Sequence, residues 1–217
     1  MRQSILSSVA AACLALAAAH ASADTVRIDG FTFNPAKPLD VAAPAYSGAA
    51  GQFSGALNGA SFTTYCADLL QSFSFGTTYT DYSIVGGVAA WGAQKSADLD
   101  RAFSAFMRAG YPTNADQSAV AQAIVWEILY ETSGTYGFGS GSFKATSTDA
   151  ATQGVLNTIN WPALPAEAIT FHVDQLYSRS TQDFVVVTEV PEPSTYALMF
   201  AGLVGIGFVA RRRTEQR

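Results

Sequence analysis

Apolar and polar residues alternate along several short segments of the chain, with the period of two that is typical of half-buried β-strands. The first of these segments spans residues 25–33. Residues 34–56 are rich in Pro, Gly and Ala, which predicts a loop with short strands. Four later segments share the alternating pattern and are predicted strands: 61–68, 77–85, 169–173 and 183–188. Strands are therefore expected on both sides of the middle of the chain.

The middle of the chain changes to the helical period. Three helices are predicted there, over 96–109, 115–131 and 148–159. Ser96 is the expected N-cap of the first, and Asn114 with Gln117 forms a capping pair for the second. On the second helix Gln122 lies beside an apolar stripe, one turn before Trp126. Strands around a helical middle predict an α+β fold, a β-sandwich or barrel-like domain with an inserted helical subdomain.

The N-terminal segment 1–23 has the features of a secretory signal peptide. A positive charge precedes an apolar run over 5–19, and Ala21 and Ala23 place small residues where a signal peptidase reads them. The run is too short for a transmembrane anchor. A lipoprotein site at Cys13 is a minor alternative, because the apolar run before it is very short. Cleavage after Ala23 is predicted.

The C-terminal segment 190–217 has three parts in a fixed order. They are a Pro-Glu-Pro motif (Val190, Pro191, Glu192, Pro193), an apolar helix over 194–210 and an arginine cluster (Arg211, Arg212, Arg213). The 15 uncharged residues from Tyr196 to Ala210 make about 22 Å of helix, which is short for a hydrocarbon core of about 30 Å. The arginines favour the cytoplasmic side, so a short single transmembrane helix would leave residues 24–189 outside the cytoplasm.

This tail resembles the PEP-CTERM sorting signal, since all three of its parts occur together at the end of the chain. In that family a membrane protease of the exosortase type is thought to remove the helix. The resemblance implies transient anchoring in the inner membrane, followed by transfer to the cell surface or release. An ordinary single-span anchor is the alternative.

Charge and residue counts exclude several classes of function. Residues 24–190 carry seven basic and fifteen acidic side chains, a net charge of −8, which argues against nucleic acid as a partner. Cys66 and His172 are the only cysteine and histidine in that range, so a disulfide within it is impossible and a Cys/His zinc site lacks ligands. No cofactor is expected. A lone thiol in an oxidising compartment nevertheless needs an explanation.

A glutamine on the apolar side of a helix is costly unless its amide is satisfied or consumed. Cys66 and Gln122 together suggest an internal thioester, in which the Cys66 sulfur replaces the Gln122 amide nitrogen and ammonia leaves. An amine or hydroxyl of a partner, a polysaccharide or a protein, would attack this bond, which would join the Gln122 acyl group covalently to the partner and free Cys66. Such a protein donates its acyl group once and is not an enzyme.

Two segments resemble the thioester domains of bacterial surface adhesins. They are Tyr65-Cys66-Ala67-Asp68 on an early strand and the Gln-x-x-x-Trp core from Gln122 to Trp126. The resemblance covers residues 60–132 and implies that Cys66 and Gln122 form the bond, with Trp126 and Tyr65 beside it. Ala121 and Val125 depart from the usual Thr and Ile, which affects the surroundings and leaves the pair intact.

Three readings of the exported part stay open. The first is covalent attachment, and the second is a non-reactive structural protein of the extracellular matrix. The third, a cysteine hydrolase of Cys66 and His172, is disfavoured because His172 is expected to point outward without an orienting residue. Asp68 is a candidate for polarising the Cys66 site, whereas Glu127 and Glu131 are expected to be solvated.

Overall fold

The computed structural model describes residues 23–191 and 198–204, and it has an α+β fold. Its strands are β1 (Asp24–Phe31), β2 (Lys37–Val41), β3 (Tyr46–Ala50), β4 (Phe53–Leu57), β5 (Ala60–Thr64), β6 (Thr78–Val85), β7 (Ala145–Thr146), β8 (Phe171–Tyr177) and β9 (Phe184–Glu189). Its helices are α1 (Gly87–Trp91), α2 (Ala93–Arg108), α3 (Ala115–Tyr130), α4 (Ala150–Leu156) and the 3₁₀ helix Trp161–Ala166.

Six antiparallel strands form the main sheet, in the order β5-β4-β1-β6-β8-β9. The two ends of this sheet meet just beyond β5, where Val185 N–H donates to the Tyr65 carbonyl at 3.0 Å. The Thr64 hydroxyl also donates to the Val185 carbonyl at 2.6 Å. The sheet is therefore nearly closed and barrel-like. Its interior holds fully buried side chains, including Val26, Ile28, Tyr82, Leu176 and Phe184.

All the helices named above lie in the sequence between β6 and β8, which are neighbours in the main sheet. The predicted helical insertion is therefore confirmed as an arrangement of elements. A smaller sheet, β3-β2-β7, packs on the helical part, and α3 contacts β2, β3, α2 and α4. Because α3 is enclosed in this way, each of its residues from 118 to 128 is buried. The helix thus carries polar groups into the interior.

The predicted elements match the structure best where local signals are strong. Asn114 caps α3, because its side chain accepts from Gln117 N–H at 3.0 Å. Ser96 is not an N-cap, since α2 already begins at Ala93 and Ser96 is buried inside it. The strand predicted over 61–68 ends at Thr64, and the loop predicted over 34–56 contains β2, β3 and most of β4.

Glu127 and Glu131 are buried, so the expectation that both are solvated was wrong. The segment after α3 folds back over them. Gly137 N–H donates to Glu127 Oε1 at 2.6 Å, while backbone N–H groups of Ser142 and Phe143 donate to Glu131 Oε2 at 2.9 and 3.0 Å. The two glutamates therefore hold the loop over 132–144 against the helix.

Both ends of the chain are described only in part. Residues 1–22, which include Ala21 of the predicted signal peptide, lie outside the described residues. Glu192 and Pro193 of the motif and the cluster Arg211, Arg212 and Arg213 lie outside them as well. Residues 198–204 are helical and expose Leu198, Met199, Phe200, Leu203 and Val204. Among the described residues no helix has the length and apolar character needed to cross a membrane. The predicted helix over 194–210 falls mostly outside them.

Candidate functional site

Cys66 lies where the two ends of the main sheet meet, in an isolated bridge with Phe184. On either side of it, the Tyr65 carbonyl accepts from Val185 N–H and Ala67 N–H donates to the Asp183 carbonyl at 2.8 Å. Backbone groups of successive residues in an extended chain point to opposite sides. The N–H and C=O of Cys66 therefore point away from β9, towards α3.

The Gln122 carboxamide occupies the place that another strand would take beside Cys66. Its Oε1 accepts from Cys66 N–H at 2.8 Å, and its Nε2 donates to the Cys66 carbonyl at 2.8 Å. Gln122 is 1% exposed. The predicted proximity of Cys66 and Gln122 is thus present, although both hydrogen-bonding ends of the buried amide are satisfied by backbone groups. Relief of an unpaired amide is accordingly no argument for a reaction.

The Cys66 sulfur has two further neighbours. The thiol donates to the Asp68 carbonyl at 2.8 Å, and Gln182 Nε2 donates to the sulfur at the same distance. Gln182 Nε2 also donates to the Asp68 carbonyl, which can only accept, so the nitrogen end of this amide faces the sulfur. Sequence reasoning missed Gln182, because nothing in the residues before β9 connects it with Cys66.

Cys66, Gln122, Gln182 and Trp126 line one cavity of about 370 Å³. Trp126 packs at 61° against Tyr46, with their ring centroids 5.2 Å apart, and its buried Nε1 has no hydrogen-bond partner among the described residues. The remaining wall combines the aromatic rings of Phe31, Phe53, Phe73 and Phe75 with small or aliphatic residues and with the polar residues Asp68, Gln71 and Ser72. The site is therefore a cavity with a mainly apolar wall, in which the Gln182 amide N–H faces the sulfur and the indole Nε1 of Trp126 is left without a partner among the described residues.

Two predicted neighbours of the pair are placed differently from Trp126. The Tyr65 side chain lines a separate cavity of about 240 Å³ and packs against Phe103. The Asp68 carboxylate accepts from Leu70 N–H at 2.7 Å and from the Tyr130 hydroxyl at 3.2 Å. It is the Asp68 carbonyl that contacts the thiol, and the carboxylate fixes the loop around it.

Burial raises the pKa of the Cys66 thiol to about 12, because water is excluded from the thiolate. The indole N–H of Trp126 opposes this rise, whereas the charges of Asp68 and Asp183 add to it. Burial likewise raises the pKa of the Tyr46 hydroxyl to about 12. At neutral pH the Cys66 side chain is therefore a protonated thiol and not the more nucleophilic thiolate.

His172 lies outside this cavity. It lines another groove together with Asp100, whose Oδ2 is 3.0 Å from His172 Nδ1. The imidazole is exposed, as predicted, but the expectation that no residue orients it was wrong. Because His172 shares no cavity with Cys66, the structure does not bring these two residues together as a nucleophile and its base.

Comparison with protein families matches residues 189–213 to the PEP-CTERM protein-sorting motif. The match covers the tail and confirms the resemblance drawn from its three parts. It indicates an exported protein that exosortase sorts towards the cell surface. No curated protein and no solved structure matches the chain. The comparisons give no support to the resemblance between residues 60–132 and adhesin thioester domains.

Proposed function

We propose that residues 24–189 form a surface module that becomes covalently attached to a partner through a thioester between Cys66 and Gln122. The observation that carries the proposal is the pairing of the Gln122 carboxamide with the backbone of Cys66 at 2.8 Å on both sides. This pairing holds the acyl carbon next to the residue that bears the sulfur. Fixed proximity of this kind lowers the entropic cost of bond formation.

Bond formation would use groups already in place. The Cys66 sulfur attacks the Gln122 carboxamide carbon, the carbon–nitrogen bond breaks, and ammonia leaves with the thiol proton. Cys66 N–H donates to Gln122 Oε1, which is the oxygen that becomes negative in the tetrahedral intermediate. Once the bond has formed, the mainly apolar wall of the cavity disfavours hydrolysis by limiting the access of water.

Attachment is the reverse substitution with a new nucleophile. An amine or hydroxyl of the partner attacks the acyl carbon, an amide or ester to Gln122 forms, and Cys66 regains its thiol. The acyl group is spent in this step, so one protein makes one bond and does not turn over. Matrix polysaccharide or protein amines are the expected partners.

The tail would deliver the module. Signal peptidase removes residues 1–23, and the short apolar helix then holds the chain in the inner membrane until exosortase acts on it. The exposed apolar side chains over 198–204 and the arginines at 211–213 fit a helix with its charged end in the cytoplasm. Released protein would reach the cell surface or the extracellular matrix.

A second candidate function is a non-reactive structural protein of the extracellular matrix. The observation that favours it is the complete pairing of Gln122, because a satisfied amide can remain in the core without reacting. In that case Gln122 would act as a clamp that closes the backbone gap beside Cys66.

Intact mass separates the two candidates. The chain is exported from a host without exosortase and purified in detergent, and its mass is compared with the mass calculated for residues 24–217. A thioester predicts a deficit of about 17 Da, one ammonia, that is absent from Cys66→Ala and from Gln122→Ala. A full mass together with one titratable thiol would exclude the thioester and favour the non-reactive structural protein.

A further inference from the structure

We propose that Gln182 is the hydrogen-bond donor that stabilises the Cys66 sulfur when it leaves as a thiolate, assisted by the indole N–H of Trp126. This inference rests on the proposed thioester and adds a residue to its chemistry. Gln182 comes from the segment before β9, far in sequence from both Cys66 and Gln122. It is the part of the site that closure of the sheet contributes.

The contacts of Gln182 fix the direction of its amide. Nε2 lies 2.8 Å from the Cys66 sulfur, and the same nitrogen faces the carbonyl oxygens of Asp68 and Asp183. Since those oxygens only accept, the end of the amide that faces them and the sulfur is the end that carries the two N–H groups. The residue is 6% exposed, so bulk water does not compete with the sulfur for this donor.

Trp126 offers a second N–H to the same cavity. Its Nε1 is buried without a partner in the described part of the chain, and Trp126 lines the same cavity as Cys66. An unpaired buried donor costs free energy in the resting protein. That cost is offset when negative charge forms on the sulfur, because a bond to an ion is stronger than one to a neutral group.

These donors would assist the step of attachment in which the carbon–sulfur bond breaks. When an amine attacks the Gln122 acyl carbon, the carbon–sulfur bond breaks and its electron pair stays on sulfur. The proton lost by the amine then reaches the sulfur and restores the thiol that donates to the Asp68 carbonyl. Burial makes this thiolate a poor leaving group, since a higher thiol pKa slows departure. The Gln182 N–H donor at 2.8 Å from the sulfur reduces that barrier.

The test uses the exported chain in detergent and two measurements. The first is the rate at which methylamine restores full thiol content to the thioester form. The second is the rate of iodoacetamide alkylation of the free thiol in Gln122→Ala, followed from pH 8 to pH 10. Gln182→Met removes the donor at similar size, Gln182→Leu is a second such variant, and Trp126→Phe removes the indole N–H.

Loss of the Gln182 donor is expected to slow both reactions on the order of tenfold, and Trp126→Phe is expected to slow them less. A purely structural role predicts the opposite sign for alkylation, because a loosened cavity exposes the thiol. Gln52→Met is the control, since the Gln52 amide contacts the Tyr65 hydroxyl and not the sulfur. Matching urea midpoints establish that the variants are folded.

The two measurements keep the inference separate from the proposed thioester. If the parent protein has full mass, the thioester proposal fails, and alkylation alone decides whether Gln182 stabilises the thiolate. If the thioester forms but both rates are unchanged or faster in Gln182→Met and Gln182→Leu, the role of Gln182 is overturned while the attachment chemistry stands.

Discussion

At the scale of single residues, Glu127 shows how a buried acid couples stability to pH. Its Oε1 accepts from Gly137 N–H, whereas its Oε2 is buried without a partner among the described residues. Burial raises its pKa to about 7 from an ordinary 4.5. The folded protein therefore keeps this proton at pH values where the unfolded chain has lost it.

Replacement of Glu127 by Gln should remove this pH dependence. In the parent protein the protonated Glu127 side chain contributes to the free energy of unfolding. This contribution is fully present below pH 4.5 and is lost as the pH rises to about 7. The free energy of unfolding of the parent should therefore fall by about 1–3 kcal/mol relative to that of Glu127→Gln across that window. Urea unfolding of both proteins at pH 4.5 and pH 8, each carrying Cys66→Ala, measures it. Equal changes in the two proteins would contradict the assignment.

Groups near Glu127 do not titrate in the same window. Burial opposes ionisation of Glu131, but hydrogen bonds from Ser133, Ser142 and Phe143 outweigh it and hold its pKa well below the usual range. Burial and the nearby Asp98 raise the pKa of the Tyr136 hydroxyl. The comparison with Glu127→Gln thus isolates one carboxyl group.

The sequence predicted part of the site at this scale and missed the rest. Cys66 and Gln122 could be paired because each is unusual on its own segment. Gln182 could not be found, because its contact with the sulfur depends on strands that meet across most of the chain. Glu127 was assigned to solvent because a helical pattern does not show that a later loop covers it.

At the scale of elements, the loop over 132–144 is held to α3 by the Glu131 carboxylate. Gly141 packs directly on that carboxylate with a φ of +81°, and a Cβ at this position would lie 2.8 Å from Glu131 Cδ. Gly134 has the same φ of +81°, but a Cβ there would meet nothing within 4 Å. The two glycines therefore separate backbone strain from steric exclusion.

Gly134→Ala should cost about 1 kcal/mol, since it adds only the strain of a left-handed backbone. Gly141→Ala should cost about 2–4 kcal/mol, because it also displaces the buried carboxylate from its donors. Urea unfolding at pH 8 compares the two variants with the parent protein. Equal losses would show that the Glu131 contacts do not restrain the loop.

Elements with local signals were predicted, and those that depend on distant partners were not. The start of α3 follows from Asn114, whose side chain caps it. Short strands were expected within 34–56, but the pairing of β2 and β3 with β7 in a small sheet could not be predicted from any local pattern. The strand at 61–68 was extended past Thr64 because alternation continues where the chain leaves β4 and meets β9.

At the scale of the whole molecule, the last strand of the described fold ends before the Pro-Glu-Pro motif begins at Pro191. β9 ends at Glu189, and the last described hydrogen bond of that strand joins Val190 N–H to the Thr170 carbonyl at 2.8 Å. The motif Pro191-Glu192-Pro193 follows at once. A break after the motif would therefore remove no strand and no residue of the Cys66 cavity.

Tail processing should accordingly be separable from folding. In a host with a matching exosortase, the parent protein should lose its C-terminal helix and leave the membrane fraction. The double variant Glu192→Ala and Pro193→Ala should keep its full tail and stay in that fraction, because the recognised motif is gone. Thr188→Ser, outside the matched segment 189–213, should be processed like the parent protein. Mass spectrometry of both fractions measures these outcomes.

The released and retained forms should unfold at the same urea concentration, because all the strands that enclose the core precede Val190. They should also show the same thioester mass deficit, since Cys66, Gln122 and Gln182 lie in the shared part. A deficit confined to the released form would instead make tail removal a condition for bond formation. Delivery and attachment would then be one coupled process, and the independence inferred from the fold would be wrong.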